Sequence, residues 1–336
     1  MTDIFFDDDV DLAILESKTI AFLGYGNQGR SQALNFRDLG LKLIVGNRDD
    51  AYRQQALADG FNPLPLHEAA AQGDVLLMLV PDEVQPEVYE RDIVPTLNAG
   101  KVLVFASGFN IYYGFIQPPP GVDVVMVAPE MIGVGVRENF LNGKGFPTLI
   151  GVEKNASGDA LAIALAIAKA SGSTKMGAIM SSFEEETLID LMYEHSGVLY
   201  HIRRVISVLI EAGVSPEAAI IGFYASGEEA RLAQAYADIG LWHQLPLHST
   251  TSQYGQEVTA QMREDEEEME LVRLRRIVRN IKNGTFARAW MLEQQAGFPA
   301  WHRQRQQNMN HPVIRAEREL FRRLGRIPTQ ETDDGM

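Results

Sequence analysis

Short runs of apolar residues alternate with mixed apolar and polar stretches through roughly the first half of the chain. Each run has the length and the aliphatic, β-branched composition of a strand that is buried on both faces. Because strands that alternate with helices pair through crossover connections, the pattern predicts an α/β domain with a parallel sheet. The predicted strands are Ile20–Leu23, Leu41–Val45, Val75–Val80, Val102–Phe105, Val122–Val127 and Leu149–Val152.

The pattern changes at Phe183, after which the apolar residues recur at helical spacing and no further strand run of note appears. This spacing predicts long helices. We therefore predict two domains, an α/β domain at residues 1–182 and an all-helical domain at residues 183–327. The polar residues 328–336 are predicted to form a disordered tail.

A glycine-rich segment follows the first predicted strand and fits the pattern G-x-G-x-x-G. The first glycine of this pattern permits a tight turn, the second lets the backbone approach a pyrophosphate, and the third lets helix and strand pack closely. A helical stretch follows, and its N-terminus would direct free N–H groups at the phosphates. The strand–turn–helix order therefore predicts a dinucleotide site. The candidate cofactor contacts are Gly24, Tyr25, Gly26, Asn27, Gln28 and Gly29.

The segment after the second predicted strand carries charges of both signs, at the place where such a fold touches the adenosine ribose. Arg48 and Arg53 suit the extra phosphate of NADP, whereas Asp49 or Asp50 suits the free 2′-hydroxyl of NAD. An aspartate that caps the next helix is the structural alternative. The interpretation favours NADPH over NADH, with Arg48, Asp50 and Arg53 as candidate contacts.

Polar residues also follow the later strands, at the edge of a parallel sheet where ligands gather. Pro81, Asp82 and Gln85 follow the third predicted strand and are candidate cofactor contacts. Ser107 follows the fourth strand and Glu130 the fifth. Both are candidates for contact with cofactor or substrate, and ordinary loop chemistry is the alternative.

The first predicted helix of the second domain carries a row of carboxylates. Glu186, Asp190 and Glu194 are spaced i, i+4 and i+8, so they line one face of the helix. Like charges at this spacing repel and need a compensating cation or open water. Oxygen ligands of this kind suit Mg²⁺. A solvated acidic face is the alternative interpretation.

The overall composition narrows the classes of partner. The 336 residues have a formal net charge of −15 and no Lys/Arg-rich run, which argues against a nucleic-acid partner. The chain has no cysteine, so disulfides and thiolate sites are excluded. The acidic N-terminal segment differs from a basic signal peptide, and no apolar run reaches the roughly 18 residues of a membrane span. We expect a cytoplasmic protein without a membrane partner.

Several short segments follow one another along nearly the whole chain in the order of a known family: GYGNQG, PDEVQPEVY, GFNI, VMVAP, EET, NGTFA and EQQAG. Together they resemble ketol-acid reductoisomerase. The resemblance implies a dinucleotide-binding domain of the Rossmann type and a knotted helical domain. It also implies a homodimer or larger assembly with active sites at the subunit interface. The family uses Mg²⁺ to shift an alkyl group in a 2-hydroxy-2-methyl-3-keto acid, and NADPH then reduces the product.

The resemblance carries over to some site residues and fails at others. Asp190 and Glu194 match the first metal-binding pair, and they are assigned to one metal site at most. The second pair, two glutamates spaced i, i+4, is absent. A gapped placement puts Ala225 and Glu229 at its positions, and an ungapped placement puts Gly222 and Ser226 there. Ser249 matches a substrate-contacting serine, in the segment that ends with the further candidate Tyr254.

The sequence differs from the family pattern at three places near the expected active site. Ser107 stands where the family has histidine, and Glu130 stands where it has lysine, which reverses the charge. The glycine-proline-glycine-histidine stretch that follows in the family is replaced by 131–135, in which Gly133 is kept as a candidate cofactor contact. Ser107, Glu130 and Glu229 are therefore candidates for an altered catalytic set beside Asp190 and Glu194.

These departures lead to one main interpretation and two alternatives. The main interpretation is an NAD(P)H-dependent reductase of a small 2-keto acid, or of an imine derived from one, with the isomerase step lost or weakened. The first alternative is a functional ketol-acid reductoisomerase of branched-chain amino-acid biosynthesis. The second is a catalytically inactive relative that binds a dinucleotide.

Overall fold

The computed structural model describes residues 2–327. The chain packs into two compact units that divide between Asp190 and Leu191. The tail predicted at residues 328–336 lies outside the described residues, and the domain boundary predicted after residue 182 stays a prediction. The first unit is an α/β unit and the second is helical, which confirms the predicted fold class.

The first unit is built on a sheet of eight described strands in the spatial order β1-β8-β7-β6-β5-β4-β2-β3. Its central strands consist almost entirely of buried aliphatic residues, as the apolar runs predict. The strands are β1 (Ile4–Phe5), β2 (Ile20–Leu23), β3 (Leu43–Gly46), β4 (Val75–Met78), β5 (Val102–Phe105), β6 (Asp123–Pro129), β7 (Thr148–Lys154) and β8 (Ala178–Met180).

Helices cover both faces of this sheet. Alternate strand residues belong to separate apolar clusters, with Ile20 and Phe22 on one face and Ala21 and Leu23 on the other. The helices are α1 (Ala13–Glu16), α2 (Asn27–Asp38), α3 (Ala51–Ala58), α4 (Leu66–Gln72), α5 (Gln85–Val88), α6 (Phe109–Tyr112), α7 (Gly133–Leu141), α8 (Ala160–Ser171) and α9 (Phe183–His195). The last of them, α9, continues past Asp190 into the second unit.

The sheet is mixed rather than parallel throughout. Strands β3, β2, β4, β5 and β6 are parallel, whereas β7 pairs antiparallel with β6. The seven residues of β6 span about 23 Å. The nine residues of α7 span only about 14 Å, and Gly143 and Gly145 then turn the chain in left-handed conformations. The chain therefore re-enters the sheet at the carboxyl end of β6 and runs in the opposite direction.

Two short strands on one side of the sheet are absent from the prediction. The two-residue β1 pairs antiparallel with the three-residue β8, and β8 pairs parallel with β7. Segments this short carry no hydrophobic period that could distinguish them from loops. The strand predicted at Leu149–Val152 is therefore not the last strand of the sheet.

The second unit consists of helices around a small apolar core. The core residues Ile206, Ile220, Val313 and Leu320 come from three of these helices. The helices are α10 (Val198–Glu211), α11 (Pro216–Ile220), α12 (Glu228–Ile239), α13 (Thr250–Tyr254), α14 (Glu264–Lys282), α15 (Thr285–Gln295), α16 (Pro299–Met309) and α17 (Pro312–Arg323). Between residues 2 and 327, no helix has both the length and the apolar character needed to cross a bilayer.

Candidate active site at the carboxyl ends of the parallel strands

The glycine turn between β2 and α2 leaves no room for side chains on two of its glycines. Gly24 has φ +111°, and a Cβ there would lie 2.8 Å from the backbone of Leu79. A Cβ on Gly29 would collide with the carbonyl oxygen of Gly24. By contrast, a Cβ on Gly26 would meet no atom within 4 Å, and no side chain caps the first turn of α2. The turn therefore fits a pyrophosphate at the N-terminus of α2.

Tyr25 takes part in this turn through its backbone. Its N–H donates to Asn47 Oδ1 at 3.0 Å, while its buried ring packs against Phe61. The Tyr25 hydroxyl donates to Asp59 Oδ2 at 2.9 Å, and Arg30 pairs with the same carboxylate at 2.6 Å. Burial, followed by the hydrogen bond to Asp59, raises the pKa of Tyr25. Its side chain thus anchors the turn from behind.

A cleft of about 420 Å³ lies at the carboxyl end of β3, where the adenosine ribose is expected. Two of its cations, Arg48 and Arg53, are predicted contacts, and two more basic residues are not. His67 lies on α4, the second helix after β3, and Arg91 follows β4, so their sequence positions gave no signal of this neighbourhood. The cleft is lined by Asn47, Arg48, Asp49, Arg53, Pro65, Leu66, His67, Arg91 and Asp92.

Asp50 is the N-cap of α3. Its carboxylate accepts hydrogen bonds from the backbone N–H groups of Tyr52 and Arg53, and from the side chain of Asn47 at 2.8 Å. It also pairs with Arg48 Nε at 2.7 Å. Burial acts to raise the pKa of Asp50, but the hydrogen bonds from Arg48 and the other donors outweigh it and hold the pKa below its ordinary value. Both carboxylate oxygens are thus engaged within the protein.

An acidic cavity of about 190 Å³ lies at the carboxyl ends of β4, β5 and β6. It brings together four predicted residues, Asp82, Ser107, Glu130 and Asp190, and adds Glu186 from the carboxylate row of α9. None of the lining residues is a lysine, arginine or histidine. The cavity is lined by Asp82, Ala106, Ser107, Ala128, Pro129, Glu130, Glu186, Ile189 and Asp190.

Glu186 is the most deeply buried carboxylate of this acidic cavity, with 6% of its surface exposed. Gly108 N donates to Glu186 Oε2 at 2.5 Å. Burial raises the pKa of Glu186 to about 8, against the lowering effect of this hydrogen bond, and repulsion by Asp190, Asp82 and Glu130 adds to the rise. Glu186 therefore retains a proton at neutral pH when no cation is near.

The other two central carboxylates are shifted in the same direction. Burial raises the pKa of Glu130, and the neighbouring Asp190 raises it further. Burial also raises the pKa of Asp190. Because desolvation and repulsion make the negative charges of these groups less favourable, the cavity favours a cation, and its oxygen donors are of the kind that Mg²⁺ prefers. Within residues 2–327, no set of three or more His, Asp or Glu side chains is arranged to hold a metal by itself.

A hydrogen-bond network fixes the loop that carries Asp82. Asn110, which is buried, donates to Asp82 O at 3.0 Å and to Gln85 Oε1 at 3.1 Å. Gln85 in turn donates to Asp82 Oδ1 at 3.0 Å. Pro81 O accepts from Val84 N at 3.0 Å and closes the loop. These bonds hold the Asp82 carboxylate at the cavity and leave Gln85 occupied with the loop itself.

Ser107 lies at the entrance to α6, beside the same loop. Its Oγ accepts a hydrogen bond from Phe109 N at 3.3 Å and is part of the cavity lining. A serine is shorter than the histidine expected here from the family resemblance, so its hydroxyl reaches less far into the cavity. The hydroxyl hydrogen can still be donated to a bound oxygen.

The remaining predicted residues belong to the second unit and are described there alone. Glu194 is exposed on α9, and Glu229 is exposed in the first turn of α12. Gly227, with φ +86°, interrupts the chain between Ala225 and Glu229, so these two positions do not share one continuous helix. The roles of Glu194 and Glu229 stay predictions.

The two predicted substrate contacts lie together around α13. Ser249 is its N-cap and accepts from Ser252 N at 3.3 Å, and Tyr254 is its last residue, with an exposed ring. Their contact with substrate stays a prediction. The cap explains the serine on local grounds alone, because a hydroxyl at this position satisfies a backbone N–H of the first helical turn.

Replacement of Glu186 by glutamine tests the electrostatics of the acidic cavity. A carboxyl group whose pKa is raised on folding stabilises the protein at pH values below its pKa in the unfolded chain, which is near 4.5. This stabilisation is lost as the pH rises through its pKa in the folded protein, about 8. Between pH 5 and 8.5, in the presence of a chelator, the stability of the wild type is expected to fall more steeply than that of Glu186→Gln. We expect a difference of about 1–3 kcal/mol at the upper end.

The measurement is chemical denaturation at each pH, and Glu184→Gln, on the same helix, is the matched control. Glutamine keeps an oxygen that can accept from Gly108 N, so the hydrogen bond survives. Parallel curves for Glu186→Gln and the wild type would show that Glu186 is ionised throughout this range.

Comparison with known proteins places this geometry in a family. Residues 14–177 match the model of the acetohydroxy acid isomeroreductase NADPH-binding domain. Residues 183–324 match the model of the ketol-acid reductoisomerase C-terminal domain. The two matches together span both structural units.

Individual relatives agree with these matches. A protein of Methanocaldococcus jannaschii named ketol-acid reductoisomerase (NADP(+)) is 40% identical over 97% of this chain and 99% of its own. A protein of the same name from Pyrobaculum calidifontis is 41% identical over 96% and 99%. The solved structure of an NADH-preferring ketol-acid reductoisomerase from an uncultured archaeon has a TM-score of 0.88 and 35% identity, and covers 98% of this chain and 100% of its own. The chain therefore belongs to the ketol-acid reductoisomerase family.

Proposed function

We propose that the protein catalyses the reaction of its family, a Mg²⁺-dependent alkyl migration in a ketol acid such as 2-acetolactate, followed by reduction with NADPH. The observation that carries this proposal is the acidic cavity at the ends of β4, β5 and β6. Its three central carboxylates, of which Glu186 is buried, have raised pKa values, and no protein cation stands among the lining residues, as expected of a site that is completed by a metal ion. Similarity to named reductoisomerases over nearly the full length supports it.

The proposal gives each residue of the site a separate role. Asp190 and Glu194 would hold the ion, which when bound supplies Lewis-acid polarisation of the substrate oxygens. Glu186 holds a proton at Oε1 or Oε2 near neutral pH and can exchange it with a bound oxygen. Ser107 Oγ can donate a hydrogen bond to the same substrate. The glycine turn positions the cofactor at the N-terminus of α2.

We infer NADPH as the preferred cofactor from the cleft at the end of β3. Three arginines, Arg48, Arg53 and Arg91, line it, and an extra phosphate on the ribose is the ligand that such a cluster suits. Asp50 is occupied with capping α3 and pairing with Arg48, which leaves it poorly placed to accept from a free 2′-hydroxyl. The two archaeal relatives named above carry NADP(+) in their names.

We also propose that the protein is a homodimer or a larger homo-oligomer assembled through the second unit. This unit has a small core and leaves many large apolar side chains in water, among them Leu199, Trp242 and Leu247, each more than 60% exposed. A mostly apolar groove of about 470 Å³ runs between α10 and α17. Exposed apolar surface of this extent indicates burial against another subunit.

A second candidate function is reduction of a 2-keto acid or of its imine without the alkyl migration. Two observations favour it. Glu130 replaces the lysine of the family and makes the cavity more attractive to a cationic substrate. The break at Gly227 separates the positions at which a second pair of metal ligands would have to share a helix.

The decisive assay measures NADPH oxidation with 2-acetolactate, with and without Mg²⁺, beside simple 2-keto acids with and without ammonia. We expect Mg²⁺-dependent turnover of 2-acetolactate. Asp190→Asn should lower it by about a hundredfold or more, since loss of a metal ligand removes most of the activation that the ion supplies. Asp159→Asn, a substitution of an exposed aspartate, is the control.

The other outcomes separate the candidate functions. Turnover of a keto acid or an imine, without turnover of 2-acetolactate, would favour the second candidate. If NADPH binds and no substrate of either class is converted, the proposed activity is wrong.

Replacement of the two predicted arginines tests the choice of cofactor. The double variant Arg48→Ala/Arg53→Ala should raise the KM for NADPH by about tenfold or more, because charge-assisted bonds to the phosphate are lost. The KM for NADH should change by less than about twofold, as NADH lacks that phosphate. Lys42→Ala, at the opposite end of β3, is the control. An equal effect on both cofactors would contradict the assignment of the cleft.

Sedimentation velocity tests the proposed assembly. The wild type should sediment as a dimer or a larger species at micromolar concentration. Leu199→Glu/Trp242→Glu should shift it toward monomer, because the change places charges in an apolar interface. Leu39→Glu, at an exposed position of the first unit, should have no such effect. A wild-type monomer under these conditions would refute the assembly.

A further inference from the structure

One carboxylate joins the glycine turn to the far end of α3. Asp59 is the C-cap of α3, and 14% of its side chain is exposed. The buried Tyr25 donates its hydroxyl hydrogen to Asp59 Oδ2 at 2.9 Å. Arg30 of α2 donates to both oxygens of the same carboxylate, from Nε at 2.6 Å and from Nη2 at 3.0 Å. The hydrogen bonds from Arg30 hold the pKa of Asp59 below its ordinary value, so the carboxylate is ionised at neutral pH.

A second arginine of α2 contacts the same residue. Arg37, about two turns beyond Arg30, donates from Nη1 to the carbonyl oxygen of Asp59 at 2.5 Å. Its guanidinium also lies over the ring of Phe61, 5.2 Å from the ring centroid, and that ring packs against Tyr25. Two arginines of α2 and the tyrosine of the turn therefore converge on the residue that ends α3. A bidentate pair within such a network fixes geometry more strictly than an isolated surface ion pair does.

The opposite end of α3 is attached to the same tyrosine. Tyr25 N donates to Asn47 Oδ1 at 3.0 Å, and Asn47 Nδ2 donates to Asp50, the N-cap of α3, at 2.8 Å. Arg48 precedes this cap, and Arg53 lies in the first turn of the helix. Tyr25 thus holds α3 at both ends, through its backbone at one end and through its hydroxyl at the other.

The two helices that this network joins carry two separate anion sites. The N-terminus of α2 would take the pyrophosphate, and the cleft at the end of β3 would take the extra phosphate on the ribose. NADPH must occupy both sites at once, so its affinity depends on their spacing, whereas a ligand that fills only the cleft is insensitive to it. When the protein holds the two sites at the required spacing before binding, no affinity is lost in ordering them.

We propose that Asp59 is a positioning residue for the cofactor, which fixes α3 and its phosphate-binding arginines relative to the glycine turn. The assignment rests on the proposed function, since it requires NADPH to span the two sites. Asp59 is not among the residues that line the cleft, and it acts through Tyr25, Arg30 and α3. NADPH depends on the fixed spacing through its extra phosphate, and NADH, which lacks that phosphate, depends on it less. Asp59 thereby contributes to the preference for NADPH.

The test compares three ligands that use the two sites differently. NADPH spans both sites, NADH spans them without the extra phosphate, and adenosine 2′-monophosphate reaches the cleft alone. Dissociation constants are measured for the wild type, Tyr25→Phe, Asp59→Ala and the double variant. Asp38→Ala is the matched control, because Asp38 also pairs with an arginine at 2.6 Å but joins α2 to α7 and not to α3.

We expect Asp59→Ala to raise the Kd for NADPH by about fivefold or more, since the charge-assisted bonds that order α3 are lost. The Kd for NADH should rise less, and the Kd for adenosine 2′-monophosphate should stay within about twofold. Tyr25→Phe removes a single oxygen and should act in the same direction, which keeps the test valid if Asp59→Ala does not fold. The double variant should bind no more weakly than Asp59→Ala, because both changes remove one coupling. Asp38→Ala should leave all three constants unchanged.

Three results would overturn the inference and leave the proposed function standing. One is wild-type binding of NADPH by both single variants. The second is an equal loss of NADPH and adenosine 2′-monophosphate binding, which would mean that Asp59 shapes the cleft itself. The third is an equal loss of NADPH and NADH binding, which would mean that Asp59 supports only the turn. If the wild type binds neither NADPH nor adenosine 2′-monophosphate, the proposed cofactor itself is wrong, and the assignment of Asp59 fails with it.

Discussion

The close approach of backbone to backbone at the glycine turn is the constraint on which the site depends. Gly24 lies against the end of β4, and Gly29 lies against Gly24, so that any side chain at either position would separate α2 from the sheet. This contact fixes where α2 begins. The N-terminus of α2 sets the pyrophosphate position, and the same turn of helix fastens the loop that follows β6. One steric requirement therefore aligns the cofactor with the strands whose ends form the acidic cavity.

The acidic cavity is held together against its own electrostatics. Burial raises the pKa of Glu130, Glu186 and Asp190, and repulsion by neighbouring carboxylates adds to the rise for Glu130 and Glu186. The fold tolerates this because their elements are fixed by other contacts, such as the apolar packing of Phe183 against Phe105. A bound cation would relieve this repulsion.

The sequence predicts the parallel strands and the glycine turn well because both depend on local composition. The mixed character of the sheet depends instead on the length of α7 relative to β6, which no single segment displays. The sequence predicts four cavity residues one by one, because the ends of strands and the faces of helices follow from local sequence patterns. These residues are Asp82, Ser107, Glu130 and Asp190. Their assembly with Glu186 in one cavity needs the fold. His67 and Arg91 escaped prediction because their cleft is formed by three separate segments.

Glu130 stands where the family resemblance predicts a lysine, and this difference changes which positive charge must balance the carboxylates of the cavity. A lysine among Asp82, Glu186 and Asp190 would supply a permanent positive charge next to the ligand. With Glu130 in its place, the protein supplies none among the lining residues, and the whole compensation falls on a bound ion, a proton or a cationic substrate. Coulombic attraction within a small, partly buried cavity is strong. The requirement for a metal or a cationic substrate should therefore be stricter here than in a site that has a lysine at this position.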